Sequence, residues 1–379
     1  MTQQVLANAR LVLADAVVHG HVHVRDGHIA DIGTGAVPPG AQDLEGDFLL
    51  PGLVELHTDH VEGHLSPRPK VRWNPCAAVL AHDAQIAASG ITTVFDSLRI
   101  WPDQGVSSLD GELPRIIAAL AEAGAAGLLR ADHRIHLRCE VPTQSVVDDA
   151  AAVLRLSPVH LISLMDHTPG QRQFASVEQF ASYYMEKGGI SPQEMDAIVD
   201  HRLAFQERYA VANRQALVAL AHAHGCVLAS HDDATAAHVA QAVDEGVALA
   251  EFPTTHEAAR LSHAAGIRVL MGAPNLVRGG SHTGNVAAEA LAREGMLDIL
   301  SSDYVPSSLL WAAFELPRRV PSIGLPEAVR LVSLNPARSA GLADRGEIAA
   351  GQRADLVRVA LLGDMPVVRE VHRDGRRVA

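Results

Sequence analysis

The strongest constraint on the fold is an alternation. Between residues 54 and 304, eight short apolar runs recur: VELHTD, GITTVFDSL, RIHLRCEV, VHLISLMDHT, GCVLASHDD, VALAEFPTT, IRVLMGAPN and LDILSSDY. The stretches between them include LPRIIAALAEAGAAGLL, DAIVDHRLAFQERYAVANRQALVALAHAHG, DATAAHVAQAVDEG and NVAAEALAREG. These carry apolar residues at helical spacing, and several end in glycine. Eight strand and helix repeats predict an α/β fold, a (β/α)8 TIM-like barrel, whose active site lies where the strands end.

Both chain ends have a different texture. VLANARLVL, AVVHGHVHVRDGHIADIG and AQDLEGDFLLPG read as short strands, with Asp26-Gly27 as a hairpin turn, and the tail VREVHRDGRRVA repeats the device at Asp374-Gly375. Residues 1–50 with 348–379 are therefore expected to form one small β-sandwich domain, and 51–347 the barrel. His19, His21 and His23 alternate at a strand period and are expected on the solvated face of that sheet.

A chain of 379 residues, 48% hydrophobic, has ample core for this plan. The net charge of -13 excludes a general nucleic-acid or membrane surface, so an anionic ligand has to be met locally. Cys76, Cys139 and Cys226 are too few and too scattered for a disulfide framework or a paired-cysteine zinc site. The N-terminal MTQQVLANARLVLADAVV lacks the basic leader of a signal peptide, and no apolar run reaches the ~18 residues of a membrane span. A cytoplasmic protein is expected.

At the C-terminal ends of the eight runs stand His57 and Asp59, Asp96, Glu140, Asp166 and His167, His231 with Asp232 and Asp233, Glu251, Asn275 and Asp303. One such group is ordinarily a cap or a satisfied structural residue. Carboxylates gathered from five strands would repel one another, a difficulty that divalent cations remove. Imidazole and carboxylate together suit Zn2+, Mn2+ or Fe2+, and a two-metal centre makes hydrolysis the natural reaction class. In PGLVELHTDHVEGH a helix would pair His60 with His64, but Pro51-Gly52 and Gly63 favour a strand. The strand reading sets His57 beside Asp59, puts His60 on the opposite face, and leaves Glu62 and His64 in the following loop.

PGLVELH after a β-domain, His167 and His231 on later strands, Asp303 on the last, and the tail NPARSAGLADRGEIAAGQRADLVRV resemble the amidohydrolase superfamily. LHTDHVEGHLSPRP, HLRCE, LMDHTPGQRQF, SHDD, EFPTT, GAPNLVRGGSHTGNV and SSDYVPSSLL resemble in particular its phosphonate-metabolism branch. The resemblance implies two divalent metal ions, Zn2+ first and Mn2+ or Fe2+ as alternatives. His57, Asp59 and Asp303 would hold one, His167 and His231 the other, and Glu140 would bridge them, because neither Lys70 nor Lys187 lies on a suitable strand. HTD here replaces the HxH more usual in the superfamily.

The implied reaction is release of pyrophosphate from a ribose 5-triphosphate, with Asp303 taking the proton of the attacking water. Arg278 beside Gly279-Gly280, His282, Arg172 and Lys187 are the candidate substrate-binding residues for its phosphates. A small anionic molecule is thus the expected partner, and a homodimer the expected assembly. Deacylation or cyclic-amide hydrolysis is the competing activity, since the same centre cleaves C–N bonds.

Overall fold

The computed structural model describes residues 3–68, 70–100, 111–174, 176–188, 191–281 and 284–379. Sixteen strands are present among them. The N-terminal segment gives β1 (Gln3–Val12), β2 (Val17–Arg25), β3 (His28–Gly33), β4 (Gln42–Asp43) and β5 (Phe48–Pro51). The alternating region gives β6 (Leu53–Thr58), β7 (Ile91–Ile100), β8 (Asp132–Glu140), β9 (Val159–Met165), β10 (Val227–His231), β11 (Leu249–Glu251), β12 (Arg268–Gly272) and β13 (Ile299–Ser301). The tail gives β14 (Leu356–Leu362), β15 (Met365–Arg373) and β16 (Arg376–Arg377).

Strands β6 to β13 form one eight-stranded sheet in chain order, with helices between them: the expected (β/α)8 barrel. Each of the eight apolar runs contains one strand. The remaining strands form a mixed sheet ordered β16-β15-β14-β5-β1-β2-β3, with β4 on β1, so both chain ends contribute to it. The chain divides into two compact units, one of Met1–Asp96, Ala118–Arg134 and Met271–Ala379, the other of Ser97–Ile117 and Ile135–Leu270.

In the first unit, β14 pairs antiparallel with β5 from Leu356↔Pro51 to Val359↔Phe48, which joins tail to N-terminus. Leu6, Leu11, Val22, Val24, Ile29, Leu49 and Leu356 are buried together beneath this sheet. Asp26 and Gly27 (φ 49° and 83°) and Asp374 and Gly375 (φ 52° and 70°) are left-handed in pairs, the backbone that two-residue hairpins require. His21 departs from expectation. It is only 6% exposed, because it lies opposite Gly33, which has no side chain to displace its ring.

The first and last barrel strands also meet within this unit. Thr58 and Asp303 form a parallel bridge, and the Thr58 hydroxyl donates to the Asp303 carbonyl at 2.6 Å. Beneath them Glu55, fully buried, accepts from the N–H of His57 at 2.7 Å and from that of Ser302 at 2.5 Å. The Ser301 hydroxyl lies 2.7 Å from the same carboxylate and 2.6 Å from the His57 carbonyl. Burial pushes the Glu55 carboxyl above its usual range, against the pull of these donors.

In the second unit β8, β9, β10 and β11 run parallel, with Glu140 opposite Met165 and His231 opposite Glu251. The helix Pro192–His224 starts at a capping box between Ser191 and Glu194 and stops at left-handed Gly225. Cys139 is fully buried, and burial pushes its thiol well above the usual range, so it is a structural thiol as the sequence suggested. Among the described residues no helix is long and apolar enough to cross a membrane.

Replacing Glu55 by Ala would strip the acceptor from two buried N–H groups and a hydroxyl, at ~1–3 kcal/mol each when left unsatisfied. Glu55→Ala should therefore lower the urea midpoint by the equivalent of about 3 kcal/mol or more, and Glu55→Gln by less. An unchanged midpoint would remove the clasp from the account.

Candidate metal centre

In the first unit, the end of β6 and the residues after β13 carry His57, Asp59 and Asp303. His57 is buried (1% exposed), with its backbone held on both sides by the Glu55 and Ser301 contacts above. Asp303 has φ 53°, a left-handed conformation that costs a non-glycine residue energy and that clusters at functional sites. Thr58 fixes its carbonyl, and its N–H donates to the Ser301 hydroxyl at 3.2 Å. These bonds set the direction in which the carboxylate leaves the chain.

The strand expected to run through His60 stops earlier. β6 ends at Thr58 and a short helix, Val61–Leu65, follows, so strand alternation no longer governs Asp59 or His60. His60 and His64 are one helical turn apart, with ring centroids 5.0 Å from each other. The helical pairing set aside in the sequence is thus present, just beyond the strand that displaced it.

The second unit builds its set from carboxylate and imidazole pairs. Glu140, at the end of β8, accepts from the His167 N–H at 2.7 Å through one oxygen and lies 2.7 Å from His167 Nδ1 through the other. His231, at the end of β10, has Nδ1 3.0 Å from Glu251 Oε2. Both Nε2 atoms face the same carboxylate oxygen, Asp232 Oδ2, at 3.8 Å from His167 and 3.5 Å from His231. His167, His231 and Asp232 can offer ligand atoms within 4.8 Å of one another, all from buried residues.

This arrangement fits a divalent cation. An imidazole that ligates through Nε2 characteristically has its Nδ1 tied to a carboxylate, and both rings here are held that way. Asp232, adjacent to predicted ligand His231 but absent from the expected ligand set, joins the two imidazoles in this group. Burial raises its pKa to about 7, and the charges of His167, Arg138 and Arg172 offset this only in part. A cation beside it would supply the missing charge. Glu140, expected as a bridge, meets His167 through both oxygens, an arrangement that also suits an orienting residue. Burial works against its ionised form, yet His167 and Arg202 hold its pKa below the usual value.

Glu251 belongs to a longer chain of contacts. Ser97 Oγ is 2.9 Å from His136 Nδ1, the other His136 nitrogen meets Ser163 Oγ, and Ser163 donates to Glu251 at 2.7 Å. A small cavity is lined by Glu140, Thr143, Thr168, His201, Arg202 and Phe205. Arg202 had no sequence signal beyond its place on the long helix Pro192–His224.

The predicted anion-binding residues diverge. Arg172 is buried and pairs with Asp233, and its guanidinium also donates to the His231 carbonyl at 3.2 Å. These contacts hold the SHDD segment. Arg278 ends the short helix Ala273–Arg278, not a loop; it is exposed and forms no ion pair with the described residues, and Gly279 after it is left-handed. His282 and the side chain of Lys187 lie outside the described residues.

The profile described as the amidohydrolase family matches residues 84–379. The chain belongs to the amidohydrolase family. Its relatives within that family include the alpha-D-ribose 1-methylphosphonate 5-triphosphate diphosphatase of Escherichia coli (strain K12), 46% identical over 376 residues, which are 99% of this chain and 100% of that protein. Imidazolonepropionase of Deinococcus radiodurans is 25% identical over 88% of this chain and 84% of its own. Among solved structures, 5-methylcytosine deaminase from Klebsiella pneumoniae has TM-score 0.66 at 16% identity, covering 99% of this chain and 98% of its own. N-acetyl-D-glucosamine-6-phosphate deacetylase from Mycobacterium smegmatis has TM-score 0.65 at 19% identity, covering 99% and 100%. These likenesses establish the amidohydrolase fold.

The two roles open to Glu140 in this amidohydrolase predict different behaviour. If it orients His167, Glu140→Gln should weaken metal binding by about 10–100-fold while the stoichiometry recovers at high metal concentration. A bridging ligand would instead lose bound metal at every concentration. Chelator competition followed by elemental analysis separates the two.

Proposed function

We propose that this amidohydrolase hydrolyses alpha-D-ribose 1-methylphosphonate 5-triphosphate to the 5-phosphate and pyrophosphate, as a cytoplasmic step of phosphonate catabolism. One observation carries the reading: 46% identity to the Escherichia coli diphosphatase across 99% of this chain and 100% of that one. The segments that hold the candidate site residues, from HTD to SSD, all lie inside that match.

Two divalent ions, Zn2+ first with Mn2+ or Fe2+ as alternatives, fit the donor types. His57, Asp59 and Asp303 would hold one, and His167, His231 and Asp232 the other, with Glu140 and Glu251 orienting the two imidazoles. When bound, such ions neutralise phosphate charge and acidify a water molecule. Asp303 takes the proton of the water that bonds to the α-phosphorus, and pyrophosphate leaves from the opposite side with the bonding electrons. The fixed backbone of Asp303 favours this task, since proton transfer requires a group held in place.

With a net charge of -13, the protein must attract the triphosphate locally. Arg278 is the best-suited residue, an exposed guanidinium at a left-handed glycine cap, with His282 and Lys187 as further candidates. Arg172 would act one step removed, through the backbone of His231. A C–N hydrolase is the second reading, favoured by D-hydantoinase of Rhizobium radiobacter, which is 30% identical over 148 residues, 38% of this chain and 29% of its own.

Metal-loaded protein offered the ribose triphosphate and, separately, N-acyl amino acids and hydantoins should release pyrophosphate from the first and no amine or ring-opened product from the others. Orthophosphate as the sole product would rule out cleavage at the α-phosphorus. Asp303→Asn should lower kcat by ~10²–10⁴-fold, the usual worth of a positioned base. Arg278→Ala should raise KM for the triphosphate by about 10-fold or more, through loss of a charge-assisted contact.

A further inference from the structure

Four histidines outside these ligand sets gather in the first unit. His60 precedes the helix Val61–Leu65 and His64 lies one turn on, their rings 5.0 Å apart between centroids. Both approach His82 on the helix Pro75–Ala88, at 5.9 Å and 6.1 Å. Behind His82 stands a carboxylate relay. His82 Nε2 is 2.8 Å from Asp96 Oδ1, Asp96 Oδ2 is 2.8 Å from His133 Nδ1, and His133 Nε2 is 3.2 Å from Asp83. His82, Asp96 and Asp83 are all 0% exposed.

This network leaves three nitrogens over. His60 Nε2, His64 Nε2 and His82 Nδ1 are buried and have no hydrogen-bond partner. Buried polar atoms ordinarily find partners, and three imidazole nitrogens left over on neighbouring rings call for one ligand that satisfies all of them. Three imidazoles bound tetrahedrally to one ion at ~2.0–2.1 Å have ring centroids about 5 Å apart. His60 and His64 already have that centroid spacing; for the three nitrogens to converge on one ion, the rings must turn and the two sides of the triangle that end at His82 must close by roughly 1 Å.

We propose that His60, His64 and His82 form a further metal site that takes one divalent transition-metal ion of the zinc class. Asp96 holds His82 from behind through the nitrogen opposite the ligating one, as carboxylates do for metal-bound histidines. His133 and Asp83 hold Asp96 in turn. The ligating form of histidine is the neutral one, and the surroundings favour it. Burial, then the nearby His60 and His82, lowers the pKa of His64, and burial lowers that of His82 despite the pull of Asp96. His60 and His64 are only half-buried, which leaves a side for the ion to enter and for a water to complete the coordination.

The ion would act on structure. A helix of five residues has little stability of its own, and this one directly follows His57 and Asp59. Tying its first turn to the helix Pro75–Ala88 would anchor that segment, and an ion that binds only the folded state raises its stability.

Cobalt(II) titrated into metal-free full-length protein tests this, read by elemental analysis and visible absorption. Wild type should bind one equivalent more than His64→Phe, and the variant should lack the absorption band of a tetrahedral nitrogen site. Saturated with metal, His64→Phe should keep the pyrophosphate-releasing activity. Equal stoichiometry in the two proteins, or cobalt retained at this site only at millimolar concentration, would overturn the site. If circular dichroism finds His64→Phe unfolded, His60→Gln takes its place in the same comparison with the same two outcomes. The stoichiometry is read without substrate. A protein that holds this ion yet releases no pyrophosphate contradicts the proposed reaction and leaves the site standing.

Discussion

A buried carboxylate joins the beginning of the barrel to its end. Eight parallel strands in chain order leave the first and last with edges to join, and Glu55 on β6 draws in Ser301 at the end of β13 and Ser302 just after it. Taking a carboxylate out of water is costly, which its raised pKa reflects, and the donors gathered around it offset that cost. The same contacts hold the backbone of His57 and Asp303, so closure of the barrel and placement of these two candidate ligands are one arrangement.

Charge is managed differently in the other ligand set. Glu140 and Glu251 each take one imidazole by its Nδ1, which turns both Nε2 atoms towards Asp232. Arg172 neutralises Asp233 next door and leaves Asp232 as a carboxylate that burial raises to about 7. Within this group of His167, His231 and Asp232, the demand for positive charge falls on one buried oxygen. Surface arginines are not needed to explain that demand.

The barrel was legible because strands buried on both faces must be apolar and their connections must be helical, and both leave plain marks in the sequence. Asp26-Gly27 and Asp374-Gly375 were legible for a local reason, since their left-handed backbone selects those residues. His21 was misread because its burial depends on Gly33, a strand partner twelve residues away that no period reveals. His60 and His64 were misread because β6 stops at Thr58, and a five-residue helix is too short to announce itself. The identities of Glu140, His167 and His231 could be read from the strand ends. Which of these candidates would orient and which would ligate could not, because that depends on which ring nitrogen meets which carboxylate.

Three residues just past the strand tips, Asp232, Phe252 and Asp303, have φ of 55°, 53° and 53°. Glycine would relax the backbone at each position, where a side chain in this conformation costs about 1 kcal/mol or more. Two of the three are carboxylates proposed to hold metal, one in each unit, so relief there would remove groups on which that binding would depend. Searches for a sturdier protein should therefore favour replacements at Asp232 and Asp303 that disable it. Selection for thermal endurance and selection for turnover should part company at these two positions before they do in the core.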